Sequence, residues 1–194
     1  RRVLTKIELG WSPDCEARLA EPGEWGVLKV GCVNGWRFQP AEHKALPSRL
    51  EPRFHLQVRE GDVLMSRANT RDLVGSVAIV DHQPDQLLIC DKLYRLYFDQ
   101  RKIDPKFAVI ALRSENARRH YEERSNGASS SMQNIGQETV RSLIISLPSL
   151  DRQNELCSEF SEAEREAGRT ISSIDASIDQ LNEYRSALIT AAVT

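Results

Sequence analysis

The chain has 194 residues, 40% of them hydrophobic and 28% charged, with a formal net charge of −2. That length supports one well-cored domain plus an appendage. No apolar run approaches the ~20 residues needed to span a bilayer, and the start, Arg1-Arg2-Val3-Leu4-Thr5-Lys6, lacks a signal-peptide core, so a cytoplasmic protein is expected.

The charge is unevenly placed. Residues 1–150 carry 22 Lys and Arg against 19 Asp and Glu, whereas residues 151–194 carry 4 against 9. A mildly basic, arginine-rich body beside an acidic tail has too little charge for a non-specific DNA coat. It suits a reader that uses a few placed arginines. The four cysteines, Cys15, Cys32, Cys90 and Cys157, share no metal-ligand spacing and read as buried or half-buried free thiols in a reducing compartment.

In chain order, the strand candidates are Val27-Leu28-Lys29-Val30, Val63-Leu64-Met65, Val77-Ala78-Ile79-Val80, Leu87-Leu88-Ile89-Cys90 and Leu93-Tyr94-Arg95-Leu96-Tyr97-Phe98. The last alternates, which predicts one face toward the core and one toward solvent. Residues 35–60, with Pro40, Pro47 and Pro52, read as a long irregular loop, and such loops are uncommon unless they bind something. Pro105 to Arg119 has helical spacing in Phe107, Ile110 and Ala111. Ser125 to Ser131 is a second polar, flexible segment, and Ser142 to Leu147 is a β-like run stopped by Pro148.

Asp151 to Thr194 reads as one long helix with a narrow apolar seam at Leu156, Phe160, Ala163, Ala167, Ile171, Ile174, Ile178, Leu181, Leu188 and Ala192. Steps of three and four line one side of a helix for a partner helix. At 1.5 Å per residue it would run about 66 Å, beyond the radius of a small domain. Ser149 or Asp151 can cap it, and Glu155, Glu159 and Glu162 favour its positive N-terminal end. Two successive steps of four around Ala167 and Ile171 form a stutter containing Gly168, where a straightened or slightly bent stretch is expected.

Phosphate loops, zinc-protease helices, nucleophile elbows and dinucleotide fingerprints are absent from the sequence. Pro13-Asp14 followed by Glu42-His43-Lys44 mimics the Pro-Asp…Glu-x-Lys pattern of metal-dependent nucleases, in which carboxylates hold Mg²⁺ and the lysine steadies the attacking water. The second half of the pattern falls between Pro40 and Pro47, where a loop is expected instead of a rigid strand, so chance explains the match better. The densest signal runs from Glu60 to Val80, where two strands flank Ser66, Arg67, Asn69, Thr70 and Arg71. Arginine and asparagine can each make paired hydrogen bonds to base edges, and hydroxyls suit phosphate oxygens. A solvated hairpin loop would look much the same.

The segment Gly61-Asp62-Val63-Leu64-Met65-Ser66-Arg67-Ala68-Asn69-Thr70…Val74-Gly75 resembles part of a target-recognition domain from specificity subunits of type I restriction–modification enzymes. Leu143-Ile144-Ile145-Ser146-Leu147-Pro148-Ser149-Leu150-Asp151-Arg152-Gln153 is similar to that family's entry to its conserved helix. Tyr184 to Thr194 is similar to the helix's close, and Leu9-Gly10-Trp11-Ser12-Pro13 is a family-like opening.

The resemblance implies an α+β fold: a β-rich globular recognition domain with short helices over 1–150, then one long coiled-coil-forming spacer and dimerisation helix over 151–194. It implies a non-catalytic chain that reads one half of a bipartite site in double-stranded DNA. Its partners would be an adenine-specific methyltransferase subunit and a restriction/translocase subunit, which would bind the methyl donor, ATP and Mg; the chain itself would bind no cofactor or metal. With one recognition domain and one helix it would be a half-subunit or fragment, able to form a homodimer through the helix.

Candidate DNA contacts are Ser66, Arg67, Asn69, Thr70 and Arg71, together with Ser129, Ser130, Ser131, Gln133 and Asn134. Lys92, Arg118 and Arg119 are candidate phosphate contacts. The helix interface would be the seam from Leu156 to Leu188. The alternatives are a stand-alone adapter that binds protein or another nucleic acid and dimerises through its helix, and the metal nuclease built on Asp14, Glu42 and Lys44.

Overall fold

The structure is a computed structural model that describes residues 2–129 and 132–193, and gives the side chains of these except Trp36, Ala128, Ser129 and Val193. Two compact units emerge, Arg1–Gln153 and Asn154–Thr194.

The first unit is built on an antiparallel sheet of β1 (Leu4–Leu9), β4 (Val63–Ser66), β6 (Val77–Ile79) and β8 (Leu93–Phe98), in the order β1-β8-β4-β6. In its centre Val63 pairs with Leu96, Met65 with Tyr94 and Ser66 with Leu93. The alternation of β8 is real, but its predicted solvent face is not. Leu64, Ala78 and Leu93 pack into one core cluster, while Val63, Met65, Val77, Tyr94 and Leu96 pack into a second on the other face.

Arg95, expected on a solvent face, is only 4% exposed. Its guanidinium donates to the carbonyls of Leu56 (3.1 Å) and Gln57 (2.7 Å) and pairs with Asp62 and Glu8. A buried charge persists only when so surrounded. Burial pushes the Glu8 carboxyl upward, but hydrogen bonds from Lys6 and Tyr97 and the charge of Arg95 outweigh it and leave the group below its ordinary range.

Residues 35–60 are less irregular than their prolines predict. β3 (His43–Ala45) pairs antiparallel with β2 (Gly26–Leu28), which pairs in parallel with β7 (Leu87–Leu88). Short 3-10 turns cover Val30–Trp36 and Phe54–Leu56. Prolines bound these elements without interrupting a ladder, which is why they survive there.

The single helix expected from Pro105 to Arg119 is two, α1 (Pro105–Leu112) and α2 (Glu115–Arg124). Asp104 caps the first, accepting from the N–H groups of Lys106 and Phe107. Ser114, in an extended conformation, breaks the run and caps the second through Ala117. The serine's competing hydroxyl makes it a better cap than an interior residue.

A third sheet joins β5 (Ala68–Asn69), β10 (Met132–Asn134) and β9 (Asn126–Ser129) in the order β5-β10-β9, followed by α3 (Gln137–Ser142). The β-like run before Pro148 is not a strand: residues 143–149 form no ladder, and Leu143 instead packs against the second core cluster.

α4 spans Leu150–Val193 and is continuous through Gly168. Its start is held by Ser149, whose Oγ accepts from the Arg152 N–H, and by Gln153, which is fully buried. Gln153 Oε1 accepts from the Asp104 N–H (2.8 Å), and its Nε2 donates to the carbonyls of Lys102 (3.0 Å) and Pro148 (2.9 Å). One amide therefore ties the helix entry to the α1 cap.

Farther along, the hydroxyls of Ser158, Ser161, Thr170, Ser172, Ser177, Ser186 and Thr190 donate to carbonyls four residues back, which satisfies them within the helix. None of the four cysteines forms a disulfide among the described residues, and burial pushes the Cys90 thiol up to about 11. Among the described residues no helix is long and apolar enough to cross a membrane.

Replacing Gln153 by Ala leaves the Asp104 N–H and two carbonyls without this partner. The expected loss is about 1–3 kcal/mol of stability, read by urea unfolding of the full chain. An unchanged midpoint would mean that water replaces the amide.

Candidate nucleic-acid interface

The polar run after β4 is a closed turn rather than an open hairpin loop. Ser66 donates its N–H to Ser76 O (2.8 Å), accepts from Gly75 N–H (2.9 Å) and donates its hydroxyl to Leu73 O (2.8 Å). Thr70 O accepts from the N–H groups of Leu73 and Val74. Asn69 Oδ1 accepts from the Thr70 N–H, and its Nδ2 donates to Asn34 Oδ1 at 3.1 Å.

Ser66 is 0% and Asn69 8% exposed, so both side chains are engaged inside the fold and neither presents a free surface group. Arg67 is half-buried, with Nη1 donating to Asp91 O (3.2 Å). Its charge, together with its hydrogen bond to the phenol, opposes the burial that raises the Tyr94 hydroxyl. Thr70 and Arg71 are exposed. Of five side chains proposed together, these two are freely presented.

The second polar segment folds onto the first. β10 pairs antiparallel with β5, placing Gln133 opposite Asn69 and Asn134 opposite Ala68. The next residue continues the join, since the Ile135 N–H donates to Arg67 O. The hairpin is drawn in tightly at Gly127, where a Cβ would lie 2.1 Å from Met132 O, so only glycine fits. Gln133 and Asn134 are half-buried, and Gln133 accepts from the Ser125 hydroxyl. Ser129 ends β9 opposite Met132; Ser130 and Ser131 lie outside the described residues.

The three remaining candidates divide. Lys92 is exposed, while its carbonyl receives the Arg67 and Ala68 N–H groups. Arg119 is exposed and pairs with Glu115 on the same helix at 2.9 Å, a pairing worth little in solvent. Arg118 points its Nη atoms to the carbonyls of Arg71 and Asp72.

Sequence reasoning missed Asn34 and the exposed Arg37. Asn34 leaves the 3-10 turn in an extended conformation, and Gly35 follows with φ of 74°. The available signal was the Asn-Gly pair itself, a turn marker at the start of the segment read as a long irregular loop.

The nuclease-like set fares differently from expectation. Lys44 lies on β3 and not in a loop, Glu42 pairs with Lys29 at 2.9 Å, and Asp14 is exposed. Among the described residues no three His, Cys, Asp or Glu side chains form a group able to hold a metal ion.

On α4, Leu156 and Phe160 are half-buried, and Ala163 and Ala167 are exposed. Ile171, Ile174, Ile178, Leu181 and Leu188 are each at least half exposed, with Tyr184 and Ile189 beside them. This row of large apolar side chains is uncovered in the single chain.

A β-rich body with paired polar strands at one end of its sheet, followed by a long helix, defines the fold class expected from sequence. Several solved structures share it. The S subunit of a type I restriction–modification system from M. genitalium is 16% identical with a TM-score of 0.57, over 84% of this chain and 38% of that one. A chain from a structure on complex assembly and conformational transition of a type I R-M system is 18% identical with a TM-score of 0.60, over 90% and 40%.

In sequence, the chain is 32% identical over 148 residues to the type I restriction enzyme EcoEI specificity subunit of Escherichia coli. No family model matches it. In sequence and in fold, then, the chain is similar to part of type I restriction enzyme specificity subunits. The match takes in 75% of the chain but 25% of the E. coli subunit, so the chain spans about a quarter of that relative's length.

Asn69→Ala removes both the Thr70 cap and the Asn34 bridge and is expected to cost about 1–2 kcal/mol in urea unfolding. Thr70→Ala, at an exposed neighbour, should stay within about 0.5 kcal/mol of the parent. Equal effects would contradict the buried role of Asn69.

Proposed function

We propose that this chain is a non-catalytic DNA-recognition element that reads one half of a bipartite duplex site. The observation that carries the proposal is the joining of the Ser66–Arg71 and Asn126–Asn134 segments, distant in sequence, through β5 and β10 in a chain related to a specificity subunit. The reading surface comprises Thr70 and Arg71, Ser129, Gln133 and Asn134 of the paired β9 and β10 strands, and half-buried Arg67. Arginines and amides read base edges; exposed Lys92 and Arg119 supply phosphate contacts that set register without sequence information. The body fits this task because its charge is only mildly basic, too little for a non-specific coat.

The helix seam is the assembly surface. The Ile171–Leu188 row covers about 26 Å of helix at 1.5 Å per residue, and pairing with a second copy would bury it. Such a dimer would present two reading domains and would offer the helices to methyltransferase and restriction subunits. Those subunits would bind the methyl donor, ATP and Mg, with chemistry on DNA performed by them in the cytoplasm.

Selection from a randomised duplex pool should enrich one short sequence, with no cleavage when Mg²⁺ is added. Arg71→Ala should weaken the enriched duplex by about 1–3 kcal/mol and relax one base position if Arg71 reads a base. Failure to enrich any sequence, or Mg²⁺-dependent cutting, would overturn the reading.

For the helix, Ile174→Glu should convert the associated species to monomer in sedimentation velocity, while the body's unfolding midpoint stays within about 0.5 kcal/mol. A parent chain that sediments as a concentration-independent monomer would remove the dimer from the proposal.

A further inference from the structure

Arg118 sits on α2 with its side chain about a quarter exposed; both Nη atoms of its guanidinium are hydrogen-bonded, and its Nε, which makes no hydrogen bond, is ion-paired. Nη1 donates to Asp72 O at 3.3 Å, Nη2 donates to Arg71 O at 3.4 Å, and Nε lies 3.0 Å from the Glu122 carboxylate one turn along the helix. The guanidinium carbon is 5.7 Å from the centre of the Tyr121 ring.

That ring presses on the other end of the same turn. Gly75 has φ of 81°, and a Cβ there would lie 2.4 Å from Tyr121 Cδ2. α2 therefore holds the turn twice, through the carbonyls of Arg71 and Asp72 and through close packing at Gly75. The Ser66 hydroxyl on Leu73 O closes it from the sheet side. A planar fork of donors suits two successive carbonyls, and lysine could satisfy them only in part.

We infer that Arg118 is a positioning residue: it fixes the backbone that displays Thr70 and Arg71 and does not itself contact DNA. This rests on the DNA-reading role proposed above and replaces the phosphate contact that the sequence suggests for Arg118. A phosphate could engage Arg118 only in competition with Arg71 O, Asp72 O and Glu122. Arg119, exposed beside it with Glu115 as its surface partner, keeps the phosphate role.

The test uses the full chain with Arg118→Gln, Arg118→Lys and, for comparison, Arg119→Ala. In hydrogen exchange, Arg118→Gln should speed the amides of Leu73, Val74 and Gly75 by about tenfold, with Arg118→Lys between it and the parent. Unchanged exchange would overturn the clamp.

The binding arm uses the duplex enriched by the parent chain and a scrambled duplex of equal length, over a salt series. Arg118→Gln should reduce the preference for the enriched duplex by about fivefold or more, leaving scrambled-duplex affinity and the salt slope unchanged. Arg119→Ala should weaken both duplexes and lower the slope by about one. A slope lowered by about one in Arg118→Gln with preference intact would make Arg118 a phosphate contact and overturn the inference. So would full preference despite faster exchange. If the parent enriches no duplex, the DNA reading falls and Arg118's role in recognition falls with it, whereas the exchange arm still decides whether Arg118 holds the turn.

Discussion

β4 and β8 lie side by side with apolar packing on both of their faces, and the rest of the body is arranged around that burial. A strand pair covered on both sides has no solvent face on which to place polar side chains. Polar residues must then sit at the ends of the strands or be paired where they are buried. Arg95 is the buried case, held by two carbonyls and two carboxylates. Ser66 marks the other: at the end of β4 its backbone and hydroxyl fold the following residues back into a closed turn.

That turn is where the fold meets the proposed function. The residue types that suggest DNA reading also hold this turn closed, and in sequence the two roles look alike. Ser66 and Asn69 hold backbone and neighbouring loops, whereas Thr70 and Arg71, immediately after them, face outward. Arg118 and Arg119 repeat the lesson on α2, where adjacent residues of one type point toward a turn and toward solvent. A helix rotates successive side chains by about 100°, so adjacent arginines have no reason to share a task.

The helix follows a different logic. It satisfies its own backbone and returns many of its hydroxyls to carbonyls four residues back, so continuity over Leu150–Val193 needs little from elsewhere. Its apolar row is what it cannot satisfy alone. The contrast between a self-sufficient backbone and an uncovered seam is why assembly, and not chemistry, is the natural reading of this segment.

Local pattern determined the long helix, five strand positions, the Leu147-Pro148 entry and the family resemblance, because each depends on residues close together in the chain. Tertiary structure alone decided what depends on distant partners. It split the Pro105–Arg119 run at Ser114, covered the second face of β8, and found a strand partner for His43–Ala45. It also joined Asn69 to Gln133 and Asn34 to Asn69, making one surface from three separate segments. Hydrophobic periodicity reports which residues seek burial. It carries no information about which of two polar neighbours will be enclosed by a segment arriving from 35 or 64 residues away.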